Sequence, residues 1–170
     1  MGVKPLHVNN DTQYLKLLNA GYRYVSFRPR SEKEITDFLQ KKLHTWHTTA
    51  PAVLTKVLDR FRELGYMDDR KFITWWVEQR NTHRPKGKRV IVQELQQKGI
   101  NKSLIEEVLS ETRDGSDETD LAKQALSKKL DLWKNLSKLD KKKKIYDYLT
   151  RRGFSFDSIR GVIDEALTIE

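Results

Sequence analysis

Two stretches of this chain repeat each other at an offset of 54 residues. A chain that repeats itself is committed to packing like units side by side before any local preference is consulted. Ile91, Leu95, Lys98, Gly99, Ile100, Ile105, Val108 and Leu109 recur as Ile145, Leu149, Arg152, Gly153, Phe154, Ile159, Val162 and Ile163. A looser copy lies upstream, where Ile35, Leu39 and Lys42 take the same order. After an insertion around Trp46 and Thr48 its series resumes at Leu54, Val57 and Leu58.

The unit reads as three helices. In the middle copy Asp68 and Asp69 open a helix whose buried stripe is Phe72, Trp75, Trp76 and Gln79, spaced as one helix face requires. Arg84, Pro85, Lys86 and Gly87 end it. A second helix is predicted over 88–98 with Ile91 and Leu95 inward and Gly99 as its left-handed terminator, and a third over 102–111 on Leu104, Ile105, Val108 and Leu109. Upstream the same order is expected from Leu15 and Leu18, then 31–43, then 51–64. There Ser31 with Glu34 forms a capping box, and Pro51 suits a first turn. Downstream it is expected over 121–136, 141–152 and 157–167.

The chain thus divides into a tail (1–10), repeats at 11–64, 65–112 and 119–170, and a polar linker at 113–118 on which the third repeat can pivot. Units of this size are near the lower limit for a lone core, so each leans on its neighbour. Hydrophobic residues are 37% and charged residues 34% of the chain. That suits helices with one buried face and not a sheet buried on both sides. The expected fold is all-α, three tandem three-helix repeats in an elongated, curved array. Leu39, Leu95 and Leu149 should be buried at equivalent places, and Gly99 and Gly153 should have positive φ.

A net charge of +9 points to an anionic partner. The cations cluster: Arg23, Arg28 and Arg30; then Arg80, Arg84, Lys86, Lys88 and Arg89; then Lys141, Lys142, Lys143 and Lys144 with Arg151 and Arg152. Each cluster runs from the end of a unit's first helix into its second, so a stacked array would carry a repeated basic stripe. The stripe suits nucleic-acid phosphate or an acidic protein groove. Reading of DNA by the third helices is disfavoured, because those helices carry Glu106, Glu107 and Glu111, or Asp157, Asp164 and Glu165, which phosphate repels. The Phe72, Trp75 and Trp76 stripe is better placed in a core than as a base-stacking platform. Trp46, beside His44 and His47, is expected to be exposed to a partner.

No catalytic residue, metal site or cofactor is expected. The chain has no cysteine, His44 and His47 lack further ligands, and no phosphate-cradling glycine loop is present. Met1 to Asn10 has no apolar run of signal-peptide length, Leu6 stands where myristoylation wants Ser or Thr, and no segment suits a bilayer span. The expected product is a cytoplasmic monomer with no membrane partner.

Gly65, Tyr66, Met67, Asp68 and Asp69, with Phe72, Trp76, Val77, Arg80, Lys86, Gly87, Glu94, Leu95, Lys98, Gly99, Ile100 and Leu109, resemble the central signature of the RecX family. The run from Arg28 through Glu34 resembles that family's first-unit segment, and Arg151, Arg152, Gly153, Phe154 and Ser155 its third. The resemblance implies a regulator of the RecA recombinase, acting in DNA repair by homologous recombination and in the SOS response. It would bind along the groove of the RecA–DNA filament and hinder extension, ATP hydrolysis and strand exchange. The contact residues would be the three basic clusters and Lys98. The alternative is a helical repeat protein that binds nucleic acid without sequence preference, touching single- or double-stranded DNA directly.

Overall fold

The computed structural model describes residues 10–111 and 118–168. Among them every regular element is helical: α1 (Asn10–Val25), α2 (Glu32–Thr45), α3 (Pro51–Glu63), α4 (Asp69–His83), α5 (Lys88–Gln97), α6 (Lys102–Glu111), α7 (Glu118–Leu130), a 3₁₀ turn (Asp131–Trp133), α8 (Lys138–Arg151) and α9 (Phe156–Thr168). The expected linker lies almost wholly outside the described residues, as does most of the tail. The chain packs as two compact units, Met1–Phe72 and Ile73–Glu170, and the division falls within α4.

In unit 1 the core is Leu17, Ile35, Leu39, Leu43, Val53, Val57, Phe61 and Met67. Leu17 takes the place expected of Leu15: Tyr14, Leu18, Tyr22 and Val25 lie on its side of α1, while Leu15 points to solvent. Ser31 caps α2 through a complete capping box with Glu34, and Pro51 stands in the first turn of α3. Asp68 caps its own helix by accepting from Lys71 N at 3.0 Å. Asp69 caps a different one, accepting from Glu32 N at the start of α2 at 2.9 Å. In unit 2 a core of Ala122, Leu126, Ile145, Leu149, Phe154, Ile159, Val162 and Ile163 is shared by α7, α8 and α9.

Helix ends reveal the true register of the repeat. Gly65, Gly99 and Gly153 have φ of 72°, 84° and 84°. Each donates back three residues, to Arg62, Gln96 and Thr150. The following Tyr66, Ile100 and Phe154 donate back five, to Phe61, Leu95 and Leu149. This is the Schellman closure, sealed by apolar contact across the turn. Helix α2 ends the same way with a histidine in the glycine's place: His47 has φ 52° and donates to His44, and Thr48 donates to Leu43. Leu43, not Leu39, therefore occupies the position of Leu95 and Leu149, and the offset between the first two copies there is 52 residues.

With that register the expected insertion disappears. Val53 and Val57 match Ile105 and Leu109, and the buried face of α3 is Val53, Val57 and Phe61 rather than Leu54 and Leu58. Trp46 is the C-cap of α2, half-buried against the core, so it is a wall residue and not an exposed anchor. The irregular member is α5. It has 10 residues where α2 and α8 have 14, and the missing first turn is replaced by the loop leading to Gly87.

Candidate functional site

That loop packs head to tail on the end of α8, which leaves carbonyls without helical donors. Gly87 N donates to Arg152 O at 2.9 Å. Arg89 Nη2 donates to Thr150 O at 2.7 Å, and Arg152 Nη1 returns a bond to Pro85 O at 3.1 Å. Two glycines make the approach possible. A Cβ on Gly87 would lie 2.1 Å from the Gly153 carbonyl oxygen, and one on Gly153 would lie 2.6 Å from Val90 Cγ2.

Glu118, first residue of α7, locks the same junction. Its carboxylate accepts from Lys88 N at 3.2 Å, from Ser155 N at 3.3 Å and from the Ser158 hydroxyl at 3.0 Å. Burial pushes its pKa upward, but these bonds outweigh burial and hold it below the usual glutamate value.

Several of the predicted contact residues are committed within the fold. Arg80 Nε donates to Glu94 Oε2 at 2.8 Å, Lys86 pairs with Glu94 Oε1, and Trp76 Nε1 donates to the same carboxylate at 2.9 Å. Burial favours the protonated form of Glu94, yet the three donors prevail and its pKa is lowered. Arg80 and Lys98 also lie over the Trp76 ring, at 4.3 and 5.4 Å from its centroid. Trp76 is thus half-buried beside an ion cluster. Phe72 and Ile73 are the buried residues of α4, Trp75 is half-buried, and Gln79 is exposed. In unit 1, Arg28 is bound to Glu34 at 2.9 Å, and Arg30 lies 4.1 Å over Tyr24. Lys141 is only 6% exposed because it stands on the inward face of α8, four residues after the Ser137 cap, as Ile35 follows Ser31 in α2.

The remaining predicted cations face solvent. Arg84, Lys142, Lys143, Lys144 and Arg151 are exposed and have no carboxylate partner among the described residues, and the Lys88 side chain is likewise unpaired. Lys88 and Arg89 form one edge of a groove of about 680 Å³ in unit 2. Val92, Phe154 and Ile159 also line it, with Glu118 and with Tyr146 and Phe156, the last two 42% and 63% exposed. Lys142 stands one turn before Tyr146 on α8. The carboxylates of α6 and α9 noted above are exposed, so those helices present acid rather than base.

By class this is an all-helical repeat protein, with a groove in unit 2 edged by cations and lined by aromatic rings. Its lineage is specific. The RecX family matches through its second three-helix domain at residues 68–109 and its third three-helix domain at residues 116–163. Regulatory protein RecX of Chlorobium phaeobacteroides is 34% identical over 91% of this chain and 96% of its own. The Bacillus licheniformis protein of the same name is 37% identical over 84% of this chain, and the Bacillus subtilis one is 34% identical over 88%. This chain spans about half the length of those two, 52% and 54%. The crystal structure of RecX from Lactobacillus salivarius superposes with a TM-score of 0.75 at 22% identity, over 93% of this chain and 99% of that one. The chain belongs to the RecX family.

None of the described helices is long and apolar enough to cross a membrane. The sequence placed Glu94 in the RecX-like signature without a role and gave no sign of Glu118, and both organise the basic residues around them. Glu94 had a visible signal, since it is the first acid after a run of cations from Arg80 to Arg89.

Proposed function

We propose that this chain regulates the RecA recombinase by seating in the groove of the RecA–DNA filament, where it hinders extension, ATP hydrolysis and strand exchange. The family supplies the partner. The observation that carries the mode of contact is the set of cations on unit 2 that have no carboxylate partner among the described residues: Lys88, Lys142, Lys143, Lys144 and Arg151, beside the aromatic-lined groove. Cations without an internal partner are available to an anionic surface, and the exposed rings of Tyr146 and Phe156 give a partner apolar area to bury.

The site is narrower than the three predicted clusters. Arg80 and Lys86 tie α4 and its following loop to α5 through Glu94, Arg89 and Arg152 tie α5 and that loop to the end of α8, and the cations that reach a partner are those of α8 and the start of α5. Repetition of units lets modest contacts on a repeating filament add through multivalency. A cytoplasmic monomer fits this reading.

Cosedimentation with RecA filaments on single-stranded DNA tests it. Binding should weaken as salt rises, and K142E/K143E/K144E should reduce it at least tenfold. Cosedimentation of that variant at wild-type levels across salt would remove α8 from the contact.

A further inference from the structure

We infer that unit 1 carries a site for single-stranded nucleic acid, in a cleft of about 360 Å³ between α1 and α2. Lys16, Arg23 and Lys42 line it together with Tyr24, Phe27, Phe38 and Trp46, and among the described residues no carboxylate does. The sequence prepares this: residues 12–31 and 38–58 contain no Asp or Glu, while they supply Lys16, Arg23, Lys41, Lys42 and Lys56.

The cleft's cations are positioned without being neutralised by any carboxylate among the described residues. Lys16 Nζ sits 4.2 Å from the Trp46 ring centroid and Lys42 Nζ 5.4 Å from that of Phe38. Arg23 Nε donates to Asn19 O at 3.4 Å, a neutral carbonyl. A ring face or a carbonyl holds a cation in place while leaving its full charge, unlike the carboxylates of Glu34 and Glu94 elsewhere in the chain. Tyr24 and Phe38 stack at 4.0 Å with planes 3° apart, which makes the wall rigid.

Phe27 selects among anions. It follows the end of α1 and is 83% exposed, a large apolar ring in water at the mouth of a cationic cleft. Phosphate ion or an acidic peptide would use the cations and leave that ring idle. A single strand offers both a phosphate for the cations and an unpaired base for the ring, and duplex DNA hides its base faces. This site is separate from the groove of unit 2, and its test needs no recombinase, so neither reading stands or falls with the other.

The experiment is fluorescence anisotropy of a labelled oligo-dT with the full chain, at low salt and then rising salt. Wild type should bind with a log–log salt slope of about −2, as three cations on single-stranded phosphates give. F27A, which removes a ring 83% exposed to solvent, should bind about 5- to 100-fold more weakly with a nearly unchanged melting temperature. R23E/K42E should lose about tenfold or more and flatten the salt slope. An abasic strand should compete as poorly with wild type as oligo-dT binds to F27A. The inference is overturned if wild type does not bind at low salt, or if F27A and R23E/K42E bind as wild type does. It is equally overturned if polyglutamate or anionic vesicles displace the label as well as unlabelled oligo-dT.

Discussion

Gly87→Ala isolates the junction between α5 and α8. Gly87 has φ −70° and ψ 159°, a conformation any residue adopts, so the substitution strains no backbone and its whole effect is steric. The new Cβ would stand 2.1 Å from the Gly153 carbonyl oxygen and 2.2 Å from Phe154 N. Ordinary contact begins near 3.4 Å, so the two backbones must part by about 1.3 Å. The Gly87–Arg152 bond would then stretch from 2.9 Å to about 4 Å, too long to count, and the Arg89–Thr150, Arg152–Pro85 and Lys88–Glu118 bonds would weaken with it. At roughly 0.5–1.5 kcal/mol for each bond, the loss should be about 2–4 kcal/mol. Urea unfolding measures it, and hydrogen exchange should show the residue 87 amide protected in the wild type and open in the variant. Gly65→Ala is the control, because φ there is 72° with nothing within 4 Å of a new Cβ; it should cost only about 1 kcal/mol. A Gly87→Ala protein as stable as wild type, with that amide still protected, would refute the junction.

His47→Gly should stabilise the chain by about 0.5–1 kcal/mol in the same urea assay, since it relieves the left-handed strain that the other repeats avoid with glycine. Leu43→Ala should cost about 2–5 kcal/mol, as Leu95→Ala and Leu149→Ala should, because all three lie buried at the same step of a Schellman closure; a cost near zero at Leu43 alone would undo the register. The depressed pKa values of Glu94 and Glu118 contribute stability that is complete above the ordinary glutamate value of 4.5 and lost as pH falls through the lower folded values. Burial raises the pKa values of Asp69 and Glu32, so their contribution runs the other way and is relieved by acid. Urea titrations between pH 7 and pH 3 should therefore show a steep acid loss that flattens in Glu94→Gln.

The helical units were legible because their punctuation is local. A Ser–Glu capping box, Pro51 and glycines after basic residues mark helix ends whatever surrounds them, and their consequences appear in the structure as bonds between near neighbours. The register of the first copy was not legible. Apolar residues one turn apart are interchangeable in a pattern, and only the backbone of His47, doing a glycine's work, shows that Leu43 and not Leu39 closes the helix. Exposed charge was the other weak inference. Arg80, Arg89, Lys141 and Arg152 resemble their solvated neighbours in sequence, and whether each is engaged within the fold depends on Glu94, on Thr150 O, on the inward face of α8 or on Pro85 O, partners set by tertiary packing.

On the proposed function, the cations of unit 2 that lack a carboxylate partner among the described residues bring this chain onto RecA filaments and slow them. Titration of the chain into RecA ATP hydrolysis on single-stranded DNA tests it most directly. Turnover should fall with added protein, the inhibition should weaken as salt rises, and K142E/K143E/K144E should need at least tenfold more protein for the same effect while melting like wild type. Unchanged turnover at saturating chain, or a triple variant as potent as wild type, would contradict the account.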